Sequence, residues 1–234
     1  MENYRRGRGR ASVSVYVLGF IGLGFFFQPL FAQTNPDGSR ISALQSYRTG
    51  RDLEAQNRMD EAMRYYDQAV QLCLDAISRN TATGDTYAVF TWTLQRQQQY
   101  DDVITWGERA LQLYPNDYRI IETMGEAYFY LLEYERSLRA MQRYVNSQPQ
   151  GDRTAVAYFF IGEIFRIQGR FHHADIAYTT AVQLDSRLAL WWYRLGTVRE
   201  ALGDLDTAVQ AYERALRLKN DYQEAREGLT RSRR

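Results

Sequence analysis

Residues 189–222 read ALWWYRLGTVREALGDLDTAVQAYERALRLKNDY, and this stretch decides the fold. Apolar residues recur at helical spacing in two runs. The first is Leu188, Trp191, Trp192 and Leu195; the second is Leu205, Ala208, Val209, Tyr212 and Leu216. Gly203-Asp204 breaks the chain between them. The spacing predicts two amphipathic helices joined by a tight turn. Small residues let two helices approach closely, and aromatic residues fill the gaps left between neighbouring units.

Moving outward from that stretch, the same arrangement recurs every 34 residues back to residue 43. The late small position is Ala62, Val103, Ser137, Ala174 and Ala208; four residues on stand Tyr66, Gly107, Met141, Tyr178 and Tyr212. Three further on come Ala69, Ala110, Tyr144, Ala181 and Ala215, and the early pair reads Thr49-Gly50, Phe90-Thr91, Met124-Gly125, Ile161-Gly162 and Leu195-Gly196. The units are 43–76, 84–117, 118–151, 155–188 and 189–222, interrupted only at 77–83 and 152–154. The second helix of the first unit is expected to overrun through Ile77, leaving a longer turn after it. Asp117, Asp185-Ser186 and Asp221 offer N-cap oxygens where a following unit begins. Residues 223–234, with Ala225 and Leu229 among many charges, read as a capping helix over the last unit. One helical pair cannot bury both its faces, so the units must stack.

The pattern resembles the tetratricopeptide repeat (TPR), W-x2-L-G-x2-Y, then A-x3-F, then P. The last unit has Trp192-x2-Leu195-Gly196 and Ala208-x3-Tyr212, and Pro115 and Pro149 close the second and third units. Departures are Arg199 and Gly107 in place of aromatics and Leu74 in place of the proline. The resemblance implies an all-α, right-handed superhelical solenoid of five helix-turn-helix repeats with a C-terminal capping helix. It further implies that the first helix of each unit lines a concave face where partners bind. That lining maps to Tyr47 and Arg51, Trp92 and Arg96, then Glu122, Glu126 and Tyr130, then Phe159, Glu163 and Arg166, and finally Tyr193 and Glu200. Aromatic and arginine side chains dominate many interfaces. Members that bind chaperone tails clamp a terminal carboxylate with lysine, arginine and asparagine. Here the corresponding places hold Tyr47, Arg51, Val89, Arg119 and Thr123, so that clamp is incomplete.

The N-terminus has a different character. Arg5, Arg6, Arg8 and Arg10 precede an apolar run from Val13 to Phe27, with Pro29 and then Ala32 before a polar segment. Residues 1–32 read as a secretory signal peptide cleaved after Ala32, or as an uncleaved membrane anchor. Either way the rest is exported, to a periplasmic or other extracytoplasmic compartment, with 33–42 as a flexible tether. The membrane would be met only through that N-terminal segment.

Chemistry is sparse. The net charge of +1 has no basic block beyond the first ten residues, which argues against nucleic acid as a partner. A single cysteine, Cys73, excludes an intrachain disulfide and any CxxC motif. His172 and His173 are adjacent on a helix and point about 100° apart, so they do not jointly chelate an ion. Asp101-Asp102, Glu122, Glu126 and Glu163 read as acids on solvated helix faces. No catalytic residue, metal site or cofactor is expected. The expected function is a non-catalytic scaffold of the cell envelope that holds a peptide or helix of another protein. The alternative is an exported carrier or sensor for a small apolar ligand, working beside a solute-transport system and marked by a closed apolar pocket. Self-association through the terminal helices is a separate option.

Overall fold

The structure is a computed structural model and describes residues 42–233. The signal or anchor at 1–32 and nearly all of the tether lie outside the described residues. Among the described residues there are eleven helices and no strand. Five are the first helices of the units: α1 Ala43–Ala55, α3 Gly84–Arg96, α5 Tyr118–Tyr130, α7 Thr154–Ile167 and α9 Ala189–Leu202. Their partners are α2 Met59–Ser78, α4 Tyr100–Leu113, α6 Tyr134–Ser147, α8 Phe171–Leu184 and α10 Leu205–Leu218, and α11 Gln223–Ser232 closes the array. The chain is an all-α helical repeat. None of the described helices is long and apolar enough to cross a membrane.

Every turn inside a unit is the same backbone device. Asn57, Gln98, Leu132, Gly169 and Gly203 all lie at positive φ, between 58° and 79°. The residue after each donates its N–H back to the first helix: Arg58 to Leu53, Gln99 to Leu94, Glu133 to Tyr128, Arg170 to Phe165 and Asp204 to Arg199. This left-handed closure satisfies carbonyls that the helix end would otherwise leave unpaired. Turns between units lack it after the first. There the chain leaves the helix at negative φ, with Asp185 and Lys219 in extended backbone and Tyr114 and Gln148 at ψ 69° and 64°.

Small faces large across each pair. Gly50, Gly162 and Gly196 sit so close to the rings of Tyr66, Tyr178 and Tyr212 that an added Cβ would lie 2.6–2.7 Å from ring carbons. The second unit reverses the exchange. Thr91 replaces the glycine and is fully buried, its hydroxyl donating to the carbonyls of Tyr87 and Ala88. Gly107 replaces the aromatic, and the Met124 side chain of the next unit fills the space. Tyr66, Tyr178 and Tyr212 are wholly buried, each worth about 1.5–3 kcal/mol of apolar burial.

First helices of successive units pack on one another along the first three units and on to α7, and α9 packs on α11. Successive second helices make no comparable contact. The stack is therefore tighter on the side of the first helices, which places them on the inner face.

Some local expectations need correction. Asp117 does cap α5, accepting from the Arg119 N–H at 3.1 Å. Asp185 does not cap α9, which begins at Ala189 after Leu188; its carboxylate instead accepts from the Arg187 backbone and guanidinium. Asp221 does not cap α11 either, whose N-cap is Tyr222. The helix starts fall too many residues downstream for those side chains to reach. Ser42, Thr83 and Asp204 do the capping elsewhere. With Leu74 where a proline would stop it, α2 continues to Ser78 and ends in its own left-handed closure at Asn80. Arg199, in place of an aromatic, pairs with Asp175 at 2.9 Å.

Candidate functional site

The inner face opens into a groove of about 1260 Å³, lined mainly by α1, α3, α5 and the turn that precedes α7, with Tyr100 of α4, Tyr144 of α6 and Val156 and Phe160 of α7. Its walls are built from residues one helical turn apart on the first helices, a spacing that brings side chains to one face. Of the residues anticipated from sequence, Tyr47, Arg51, Trp92, Arg96, Glu122, Glu126 and Tyr130 line it together.

Aromatic rings run along the groove. Tyr47 meets Trp92 at 5.7 Å between centroids, and Tyr100 stacks on Tyr130 at 4.8 Å with the rings 14° apart. Phe160 closes the far end, edge-on to Tyr130 at 6.1 Å. Tyr47 is largely core, whereas Tyr130 is 49% exposed and available to a ligand.

Charges alternate with the rings. Arg96 lies 3.4 Å from Glu54, which also accepts from the Tyr66 hydroxyl at 2.6 Å. Burial, then that carboxylate, pushes the Tyr66 phenol well up, so it remains a donor. Arg51 has no ion-pair partner among the described residues, and its guanidinium lies 6.0 Å from the Tyr47 ring centroid. Arg119 is held by Asp117 and Asp85 at 2.7 Å each. Glu122 and Glu126 share the guanidinium of Arg153, with Arg153 Nε 3.0 Å from Glu122.

Glu122 departs most from expectation. It is 4% exposed rather than solvated. Burial and the neighbouring Glu126 charge hold its carboxyl above the ordinary range, with Arg153 pulling the other way. Arg153 itself stays firmly charged, because the two carboxylates outweigh the cost of its burial.

Phe159, Glu163, Arg166, Tyr193 and Glu200 do not line this groove. They join the last units. Phe159 stacks on Trp191 at 5.1 Å. Glu163 is 6% exposed, pairs with Arg166 and Arg194, and accepts from the Tyr178 hydroxyl. Tyr193 packs between Tyr212 and Tyr222. Glu200 accepts from Tyr212 at 2.6 Å and pairs with Arg231 of α11 at 2.8 Å. Burial drives the Tyr178 and Tyr212 phenols up, reinforced by these carboxylates.

Sequence reading missed Gln95, Tyr100, Arg153 and Phe160, which also line the groove. Arg153 falls in the 152–154 interruption and Tyr100 opens a second helix, so a rule confined to first helices passes over both. The break in the period was the available signal for Arg153. Val89 and Thr123 are buried, Thr123 donating to the Arg119 carbonyl, so neither serves a carboxylate clamp. His172 and His173 are exposed, with His173 lying 5.2 Å from the Phe165 ring. Among the described residues no three His, Cys, Asp or Glu side chains converge as a metal site would require. Burial pushes the Cys73 thiol up to about 12, which leaves it inert.

Residues 155–187 and 189–222 each match a tetratricopeptide repeat family model. The chain carries tetratricopeptide repeats. Its fold is that of solved TPR proteins. TTC0263, a thermophilic TPR protein of Thermus thermophilus, superposes with a TM-score of 0.61 at 17% identity, over 82% of this chain and 98% of that one. MamA from residue 41 to its end, of Desulfovibrio magneticus RS-1, gives 0.55 at 18% identity, over 77% and 96%. YrrB, a TPR protein with an unusual peptide-binding site, gives 0.54 at 17% identity, over 81% and 92%. Among curated proteins, human Protein O-mannosyl-transferase TMTC1 is 24% identical over 175 residues, 74% of this chain. The chain spans only 19% of that protein's length.

Proposed function

We propose that this TPR chain is a non-catalytic interaction scaffold that holds an extended segment or helix of another protein in the α1–α3–α5 groove. The observation that carries this reading is the groove's composition: an open cleft where aromatic rings, Tyr130 half exposed among them, alternate with arginines and carboxylates. Such a surface offers stacking, cation–π contact and charge-assisted hydrogen bonds to a polypeptide. A small apolar ligand calls for a closed, mostly apolar pocket instead. The peptide-binding site named for YrrB supports the same class of role. The proposal extends to location: residues 1–32 direct the remainder out of the cytoplasm, where it works in the bacterial cell envelope. N-terminal sequencing of the mature protein tests that part, with a start at Gln33 expected and an intact Met1 in a soluble cytoplasmic fraction contradicting it.

The interaction is tested by recovering partners from envelope extract with the native protein and with a Trp92→Ala, Arg96→Ala, Tyr130→Ala variant. Circular dichroism must first show that the variant is folded. A protein retained by the native chain and lost by the folded variant is the expected outcome. Identical recovery by both would place binding elsewhere on the molecule.

A further inference from the structure

One corner of the groove is built for a cation and already contains one. Glu122 and Glu126 lie one helical turn apart on α5, and both accept from the single guanidinium of Arg153. Arg153 belongs to the interruption at 152–154, so the repeat itself does not call for it. Its side chain is 47% exposed, while that of Glu122 is 5% exposed. An arginine from the rim thus reaches down onto a buried acid.

Gln95 adds an independent sign. Its side-chain Nε2 donates to Glu126 at 2.7 Å, which fixes the orientation of the amide. The other end, Oε1, is then buried with no donor among the described residues. The stacked rings of Tyr100 and Tyr130 stand in the same lining. Two carboxylates, with a carbonyl oxygen lacking a donor and aromatic rings elsewhere in the same lining, suit a guanidinium or ammonium group. One guanidinium against two carboxylates leaves negative charge in excess.

We propose that this corner is a subsite for an arginine or lysine side chain of the bound segment, and that Arg153 fills it as an internal stand-in until that segment arrives. The inference rests on the groove being the binding face. Two bonds of the turn do not involve the guanidinium that would be exchanged. The Arg153 N–H is held by the Tyr144 hydroxyl at 3.3 Å, and the Thr154 hydroxyl donates to the Gln148 carbonyl at 2.6 Å. Because the competent state must first release Arg153, apparent affinity for a cationic segment is lowered by the fraction of time the subsite is open.

The test is titration of N-acetylarginine amide, with N-acetylnorleucine amide as the uncharged control, followed by tryptophan fluorescence. The wild type, Arg153→Ala, and the double variant Arg153→Ala, Glu126→Gln are compared. The expected result is binding of the arginine probe at least about tenfold tighter in R153A than in wild type, loss of that gain in the double variant, and no response to norleucine. Equal or weaker binding in R153A, or an equal response to both probes, overturns the inference. If R153A fails to fold, Arg153→Met, which keeps the aliphatic stem, takes its place. Unfolding of both would make Arg153 a structural strut and likewise overturn it. Failure of the groove reading looks different: partner recovery would ignore the groove variant while the arginine probe still discriminated R153A from wild type.

Discussion

Leu132 closes the third unit's turn at φ +64° and is 69% exposed, in a position that two other units give to glycine. A left-handed conformation costs a residue with a Cβ roughly 1–2 kcal/mol, part of which glycine returns through its greater freedom when unfolded. Leu132→Gly is therefore expected to stabilise the protein by about 1 kcal/mol, read as a rise of a few degrees in thermal midpoint. No change would mean that the exposed side chain makes an uncounted contact. Gly196→Ala should act in the opposite direction, because the new Cβ meets the Tyr212 ring at 2.7 Å. Overpacking of this kind costs about 1–3 kcal/mol. Glycines at 50, 162 and 196 were legible as close-approach positions from sequence; Gly107 was visible as a departure, but its exchange with Thr91 and its repair by Met124 were not. That contact spans two units, and periodicity within a unit says nothing about which neighbour fills a gap.

Among the elements, α11 packs on α10 through buried Ala225 and is tied to α9 at Glu200, where Arg231 and the Tyr212 hydroxyl converge. Those hydrogen bonds, that of Arg231 foremost, hold the Glu200 carboxyl below its ordinary value of 4.5. A carboxyl lowered on folding contributes stability above its unfolded pKa and loses it as pH falls through the folded one. Protection of the α11 amides, taken relative to the intrinsic exchange rate at each pH, should accordingly fall below about pH 4.5 ahead of that in α5, and Glu200→Gln should show that lower protection already at neutral pH. Glu122 has the opposite sign. Its raised pKa means stability is greatest below 4.5 and is lost as pH rises through the folded value. The thermal midpoint of Glu122→Gln relative to wild type is thus expected to climb as pH increases from 4.5; a flat difference would show that Arg153 fully compensates the buried charge. The helix pairs and the terminal helix were legible because their apolar spacing repeats. Two of the caps were not, since an aspartate near a unit boundary promises a cap only if the helix starts directly after it, and the starts at Ala189 and Gln223 come later.

At the level of the whole molecule, inner-face packing of the first helices turns a linear repeat into a cleft. The first three units supply most of that cleft and Arg153, Val156 and Phe160 close its far end, while Phe159, Glu163, Arg166, Tyr193 and Glu200 are spent on packing the last units and α11 together. Sequence could nominate one helix face per unit but not distinguish these two fates, because the same aromatic and acidic residues serve both. Glu163 and Glu122 look alike in the chain. Only the neighbours decide, with Tyr178, Arg166 and Arg194 enclosing the first and the open groove beside the second. The proposed function puts a partner polypeptide against this inner face. It is tested most directly by placing a photo-crosslinking amino acid at Tyr130, half exposed in the groove, and separately at Ile176, 67% exposed on α8. Irradiation in cells should yield a protein adduct from position 130 and none from position 176. An adduct from 176 alone would put the partner on the second helices and contradict the account.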